Sequence, residues 1–145
     1  MNYKCLFGLT ILALLSLPVI SHSQESAINC KNATTQREIN ICAQREAQTA
    51  DKKLNNTYQI LQRRLAQDLR QGGTAQINYA KQRYQKLINA QNAWIKFRDT
   101  SCEYERSAYE GGSIAPTIYY GCITKSTARR TADLQEYIQQ LVASG

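Results

Sequence analysis

Thr35-Gln36-Arg37-Glu38-Ile39-Asn40-Ile41-Cys42 opens the longest periodic stretch of the chain, which closes at Gly72-Gly73. Thr35 and Glu38 have the spacing of a capping box. In it, a hydroxyl and a carboxylate accept from backbone N–H groups that the first helical turn leaves unpaired. From there Ile39, Cys42, Glu46, Ala50, Leu54, Tyr58, Leu61, Leu65 and Leu69 recur every three or four residues. That period places them on one face of a single long helix. The glycine pair ends the helix, because glycine has poor helix propensity and supplies turn conformations.

A second helix is expected over about residues 75–108, with Tyr84, Leu87, Ile88, Gln91, Trp94, Ile95, Arg98 and Cys102 facing inward at the same spacing. A tight turn forces the two helices antiparallel, so residues whose numbers sum to about 145 share a level. Leu54 then sits beside Gln91, Tyr58 beside Leu87, and Glu46 beside Arg98 and Asp99. Residues 109–122 hold Gly111, Gly112, Pro116 and Gly121 and read as a loop. A third helix is expected over about 123–142, with Thr127, Thr131, Leu134, Ile138 and Leu141 inward. Residues 24–34 lack periodicity and form a lead. The predicted fold is all-α: an antiparallel three-helix bundle with two long helices and a shorter C-terminal helix, stapled by two disulfides.

Ahead of this stretch, Lys4 is followed by an apolar run from Cys5 to Ile20 and by the small-residue pattern Ser21-His22-Ser23. That is the grammar of a secretory signal peptide. The run contains Pro18 and falls short of the roughly 20 apolar residues that span a membrane. The sequence therefore predicts a signal peptide over 1–23, a single domain over 24–145, and a periplasmic or secreted protein that does not span the membrane. Cys5 follows Asn2-Tyr3-Lys4 rather than small apolar residues, so no lipid anchor is expected.

With Cys5 removed, Cys30, Cys42, Cys102 and Cys122 remain, an even number in a compartment that permits oxidation. No C-x₂-C pair is present, so disulfides are expected rather than zinc. Of the three pairings, Cys30 with Cys42 and Cys102 with Cys122 each close a short segment. Cys42 with Cys102 and Cys30 with Cys122 is the rival, since it would staple the helices across one end of the bundle.

The chain carries 18 Lys and Arg against 11 Asp and Glu, a formal +7, and removing Lys4 leaves +6. The basic residues are spread along the chain, whereas nucleic-acid binding calls for a concentrated stripe, so no nucleic-acid partner is expected. Weak binding to an anionic surface fits the sign of the charge. The single histidine, His22, falls in the leader. A domain without imidazole or free thiol lacks the commonest catalytic and metal-binding designs. Neither enzyme activity nor a cofactor or metal is expected.

Polar residues on apolar stripes mark a structural network. Buried charge must be paired, so Arg98 is expected to meet Glu46 or Asp51 across the first two helices, with Gln91 and Trp94 in the same core. Tyr104, Tyr109, Tyr119 and Tyr120, which cluster in and beside the loop, differ, because tyrosine offers large area with a polar tip at small entropic cost. Tyr109, Tyr119, Tyr120 and Ser113 are the candidate binding residues, and closure of the segment by Cys102 and Cys122 would limit the entropy lost on docking.

Several segments together resemble a known family. They are Cys30 with Cys42, Asp51-x-x-Leu54-Asn55-x-x-Tyr58, Gln91-x-x-Trp94-x-x-Phe97-Arg98-Asp99-x-x-Cys102, and Cys122 followed by Thr127-x-Arg129 and Leu134. In combination they resemble the LprI-like family of small exported bacterial proteins, which carry the lysozyme inhibitor LprI N-terminal domain. The resemblance adds Asp99 and Arg129 to the structural network. It implies a helical domain whose partner is a protein, a lysozyme or another wall hydrolase, with a non-inhibitory envelope interaction module as the alternative. Many animal lysozymes are strongly basic, as this domain is, and like charges oppose association. An inhibitory element would therefore have to be local, and the segment 102–122 is the candidate.

Overall fold

The computed structural model describes residues 28–143 apart from residue 72. The leader read over 1–23 and Gly72 of the glycine pair lie outside the described residues. A 3-10 turn, Cys30–Asn32, precedes three long helices: α1 over Gln36–Gln71, α2 over Thr74–Ser107 and α3 over Ala115–Ala143.

α1 starts where the capping box places it. The Thr35 N–H donates to the Glu38 carboxylate at 3.0 Å, and the Glu38 N–H donates to Thr35 Oγ1 at 3.3 Å. The Thr34 N–H adds a third bond, to the same carboxylate oxygen at 3.1 Å. These donors, the Thr35 N–H foremost, hold the Glu38 carboxyl below its ordinary range.

α2 runs antiparallel to α1, as Gln62 with Tyr84 and Asp51 with Arg98 show, both close to the predicted level rule. α3 then lies parallel to α1. Thr117 meets Gln36 and Asn40, and Thr127 meets Asp51, at sequence offsets that stay between 76 and 81. Consecutive helices are thus antiparallel, and the domain is a three-helix bundle.

Two apolar clusters form the core. Toward the α2–α3 loop, Ala47, Cys102, Cys122 and Ile123 pack with the half-buried Tyr119 and Tyr120. Toward the α1–α2 hairpin, Leu54, Leu61, Leu65 and Leu134 pack with Tyr58, Tyr84, Leu87, Trp94, Ile138 and Leu141. Burying each such leucine contributes roughly 1.5–3 kcal/mol. Cys30–Cys42 ties the lead to α1 and Cys102–Cys122 ties α2 to α3, with Cα atoms 5.6 and 5.5 Å apart, so the rival pairing is excluded.

The fold corrects several expectations. α3 begins at Ala115, not Ile123, which reduces the loop from 109–122 to residues 108–114. Pro116 falls in the first helical turn, where its missing N–H leaves no bond unmade. Gly121 sits inside the helix, and a Cβ there would meet nothing within 4 Å. Of the inward stripes, Ile39, Glu46 and Ile95 are exposed. Ala47, one residue on from Glu46, takes the buried place because α1 packs against two helices and its contact face turns toward α3.

Candidate functional site

Between the two apolar clusters lies a polar layer built on Arg98. Its Nη1 donates to Asp51 Oδ1 at 2.7 Å and to Thr127 Oγ1 at 3.1 Å, and its Nε donates to Asp99 Oδ1 at 2.9 Å. The Arg98 side chain is 12% exposed, against 41% for Asp51 and 46% for Asp99. A nearly buried cation is thus held by two carboxylates that keep one side in water. The Arg98 guanidinium also lies 5.1 Å from the Trp94 ring centroid, and that of Arg130 lies 5.9 Å from it. Arg130 Nε donates to Gln91 Oε1 at 3.0 Å. No buried side-chain nitrogen or oxygen among the described residues lacks a partner. A satisfied layer of this kind fixes the register of the three helices.

Of the residues assigned to this network from sequence, the structure brings together Asp51, Gln91, Trp94, Arg98 and Asp99. It leaves out Glu46, exposed on α1, and Arg129, exposed on α3. Arg130 and Thr127 take the inner places. Arg129, which the resemblance implies, lies one position off the helical face that carries Thr127, Arg130, Thr131 and Leu134, and the 3.6-residue period favours Arg130.

Beside this layer a cleft of about 190 Å³ is lined by Asp51, Arg98, Asp99, Tyr119, Tyr120 and Ile123, among others. The Tyr119 and Tyr120 rings meet edge to face at 5.3 Å. Burial, and then the carboxylates of Asp99 and Glu103, push the Tyr119 phenol above its ordinary value. These two tyrosines therefore line the inner wall of the loop end and do not project from it.

The loop itself is a run of tight turns. The N–H groups of Tyr109, Gly112 and Ala115 donate to the carbonyls of Arg106, Tyr109 and Gly112. Gly111 has φ +78°, a conformation that L side chains resist. Asn40 Nδ2 donates to the Ser113 carbonyl at 2.9 Å, Thr117 Oγ1 donates to Asn40 Oδ1 at 2.5 Å, and Gln36 Nε2 donates to both Asn40 and Thr117. α1 thus grips the loop and the start of α3, with Cys102–Cys122 close by. Tyr109 and Ser113 are exposed on the tip. The four candidate binding residues accordingly separate into an outer pair, Tyr109 and Ser113, and an inner pair, Tyr119 and Tyr120. Two exposed aromatics that the candidate set lacked, Phe97 and Tyr104, lie on α2 beside the same end. Their signal in the sequence is a seven-residue spacing off the inward stripe.

Among the described residues no helix is long and apolar enough to cross a membrane, and no three His, Cys, Asp or Glu are grouped as metal ligands. The family model described as "Lysozyme inhibitor LprI" matches residues 29–134. A protein of Rhizobium meliloti (strain 1021), described as "Uncharacterized protein R02472", is 32% identical over 126 residues, covering 87% of this chain and 90% of that protein. No solved structure matches.

Proposed function

Because the chain belongs to the LprI lysozyme-inhibitor family, we propose that it is an exported binding protein that inhibits a lysozyme or another peptidoglycan hydrolase, and that it has no catalytic activity of its own. The family match over 29–134, which takes in α1, α2, most of α3 and both disulfides, is the observation that carries this reading. The two disulfides also favour an oxidising compartment, and with it export by the leader over 1–23 and a domain over 24–145. On this reading the loop end, with Tyr109 and Ser113 outermost, is the part that meets the hydrolase. A glycoside hydrolase works with two carboxylates across its cleft. Hydroxyl donors on a stiff tip suit such a cleft, because their ordering cost is met when the domain folds.

The test is turnover of a peptidoglycan suspension by a basic animal lysozyme, and by a bacterial muramidase, with the purified oxidised protein titrated in. Saturable loss of turnover, approaching completion near equimolar protein, is expected. Binding without loss of turnover would favour the envelope interaction module instead. Release of muropeptides by the protein alone would make it an enzyme.

A further inference from the structure

The charge that reads as evenly spread along the sequence is sorted by the fold. From Arg63 to Lys86, around the α1–α2 hairpin, the chain carries Arg63, Arg64, Arg70, Lys81, Arg83 and Lys86 against Asp68 alone. From Lys96 to Ser113, toward the opposite end of the bundle, it carries Asp99, Glu103, Glu105 and Glu110 against Lys96, Arg98 and Arg106, and Arg98 and Arg106 are themselves paired with Asp99 and Glu103. The residues of the 3-10 turn and of α1 near that second end alternate in sign, with Lys31, Arg37 and Arg45 against Glu38 and Glu46. Along α2, Lys86 and Tyr104 are separated by roughly 27 Å at 1.5 Å per residue. That is about three Debye lengths at physiological ionic strength. A partner at the loop end therefore feels the local carboxylates, while the surplus positive charge at the hairpin is screened from it.

Aromatic surface is exposed in that same local field. Phe97 is 68% exposed and Tyr104 81% exposed. Seven residues apart, they stand two turns apart on one face of α2. This face is not unfinished core, because α2 already buries Gln91 and Cys102 against its neighbours. Glu103 and Glu105 flank Tyr104 in sequence, so they project about 100° to either side of the strip. Glu103 is paired with Arg106 at 2.7 Å, whereas Glu105 and Glu110 form no ion pair among the described residues. Tyr109 extends the strip onto the loop. Large aromatics rimmed by polar groups are what protein interfaces use as anchors.

We propose that this strip, Phe97 and Tyr104 with Glu105, Tyr109 and Glu110, is the docking surface for a basic protein, and, resting on the inhibitor reading above, that it receives a basic lysozyme. The matching sign removes the objection that a basic domain repels a basic partner. Charge complementarity selects this occupant; an anionic polymer would go to the hairpin end.

The experiment measures binding kinetics of the purified oxidised protein to a basic animal lysozyme and to the same lysozyme with its lysines succinylated, alongside inhibition of turnover. Three double variants are compared: Phe97→Ser with Tyr104→Ser, Glu105→Gln with Glu110→Gln, and Arg63→Gln with Lys86→Gln. All three alter exposed side chains, and circular dichroism melts check the fold. The aromatic pair should weaken binding by about 30-fold or more, since interface aromatics are worth roughly tenfold each. The carboxylate pair should slow association several-fold at low salt, with the difference vanishing near 0.5 M salt, where screening is short-ranged. Succinylated lysozyme should bind far more weakly, and the hairpin variant should stay within about twofold of wild type. Inhibition that survives both strip variants overturns the inference and leaves the inhibitor reading standing. Binding through the strip without loss of turnover supports the inference and removes the inhibitor reading. Binding lost in the hairpin variant, or no binding by wild type, overturns the inference.

Discussion

Arg98→Ala removes a side chain of α2 that hydrogen-bonds to both α1 and α3, and the structure sets its cost. A carboxylate stranded in a dry interior costs about 3–5 kcal/mol. Asp51 and Asp99, with side chains 41% and 46% exposed, are not stranded, because each can take water in place of the lost donor. Each pair is therefore worth about 0.5–1 kcal/mol. Loss of the aliphatic stem and of the stacking on Trp94 adds about 0.5–1 kcal/mol. The sum is roughly 1.5–3 kcal/mol, a fall in Tm of about 6–12 °C at about 4 °C per kcal/mol for a domain of this size. Arg98→Met keeps most of the stem and should recover the packing share. Arg98→Lys keeps the charge but cannot reach Asp51 and Asp99 from two edges of one plane, and should recover less than half. Urea denaturation with an unchanged m value is the assay, and a double-mutant cycle with Asp51→Asn should give a coupling of about 1 kcal/mol. A loss under about 0.5 kcal/mol, or no coupling to Asp51, would refute the reasoning.

Replacing both Cys102 and Cys122 with Ala should cost about 3 kcal/mol, the loop-entropy value for a 20-residue separation, read by urea denaturation. Non-reducing peptide mapping should return the Cys30–Cys42 and Cys102–Cys122 peptides and no free thiol. Gly111→Ala should destabilise by about 1 kcal/mol because φ is +78°, whereas Gly121→Ala, in a helix with open space at its Cβ, should stabilise by about 0.5–1 kcal/mol; thermal melts of the pair test the contrast. Glu38 has a depressed carboxyl pKa, so its contribution is full above the ordinary carboxylate value of about 4.3 and is lost as the pH falls through the lower folded value. The Tm difference between wild type and Glu38→Gln should therefore shrink steadily in melts below about pH 4.

Much of the bundle was legible because its signals are local. The capping box and the leucine stripe of α1, the turn at the glycine pair and the partnership of Arg98 with Asp51 all follow from spacing within one helix or from the antiparallel hairpin. What escaped depends on the third helix. Glu46 sits on the face that a two-helix hairpin would bury, but docking of α3 turns that face toward Ala47. Arg129 and Arg130 are adjacent; Arg130 shares the helical face of Thr127, Thr131 and Leu134 and reaches Gln91 and Trp94. Pro116 and Gly121 read as loop markers, yet the first is tolerated in an opening turn and the second faces open space. The misplaced helix start carried Tyr119 and Tyr120 with it, from a supposed flexible loop to the inner wall of a helix. Tyr104 belongs to the tyrosines beside the loop that read as interface-like, whereas Phe97, between Lys96 and Arg98 and off the inward stripe, reads as solvated surface.

The way the loop end is held bears on how any partner would engage it. Its backbone turns are closed by their own hydrogen bonds, Asn40 fixes the Ser113 carbonyl, and Cys102–Cys122 joins the two helices that the loop connects. Phe97 and Tyr104 stand on α2, which the Arg98 layer ties to both other helices. Little conformational entropy is left to lose there, so affinity would come from a surface already in its bound shape. Association would then be governed by encounter, which the local carboxylates accelerate for a basic partner and salt slows. Weakening the Arg98 layer or opening Cys102–Cys122 leaves every surface residue in place. Lower affinity in those variants, at temperatures where the bundle remains folded, would therefore measure preorganisation separately from contact.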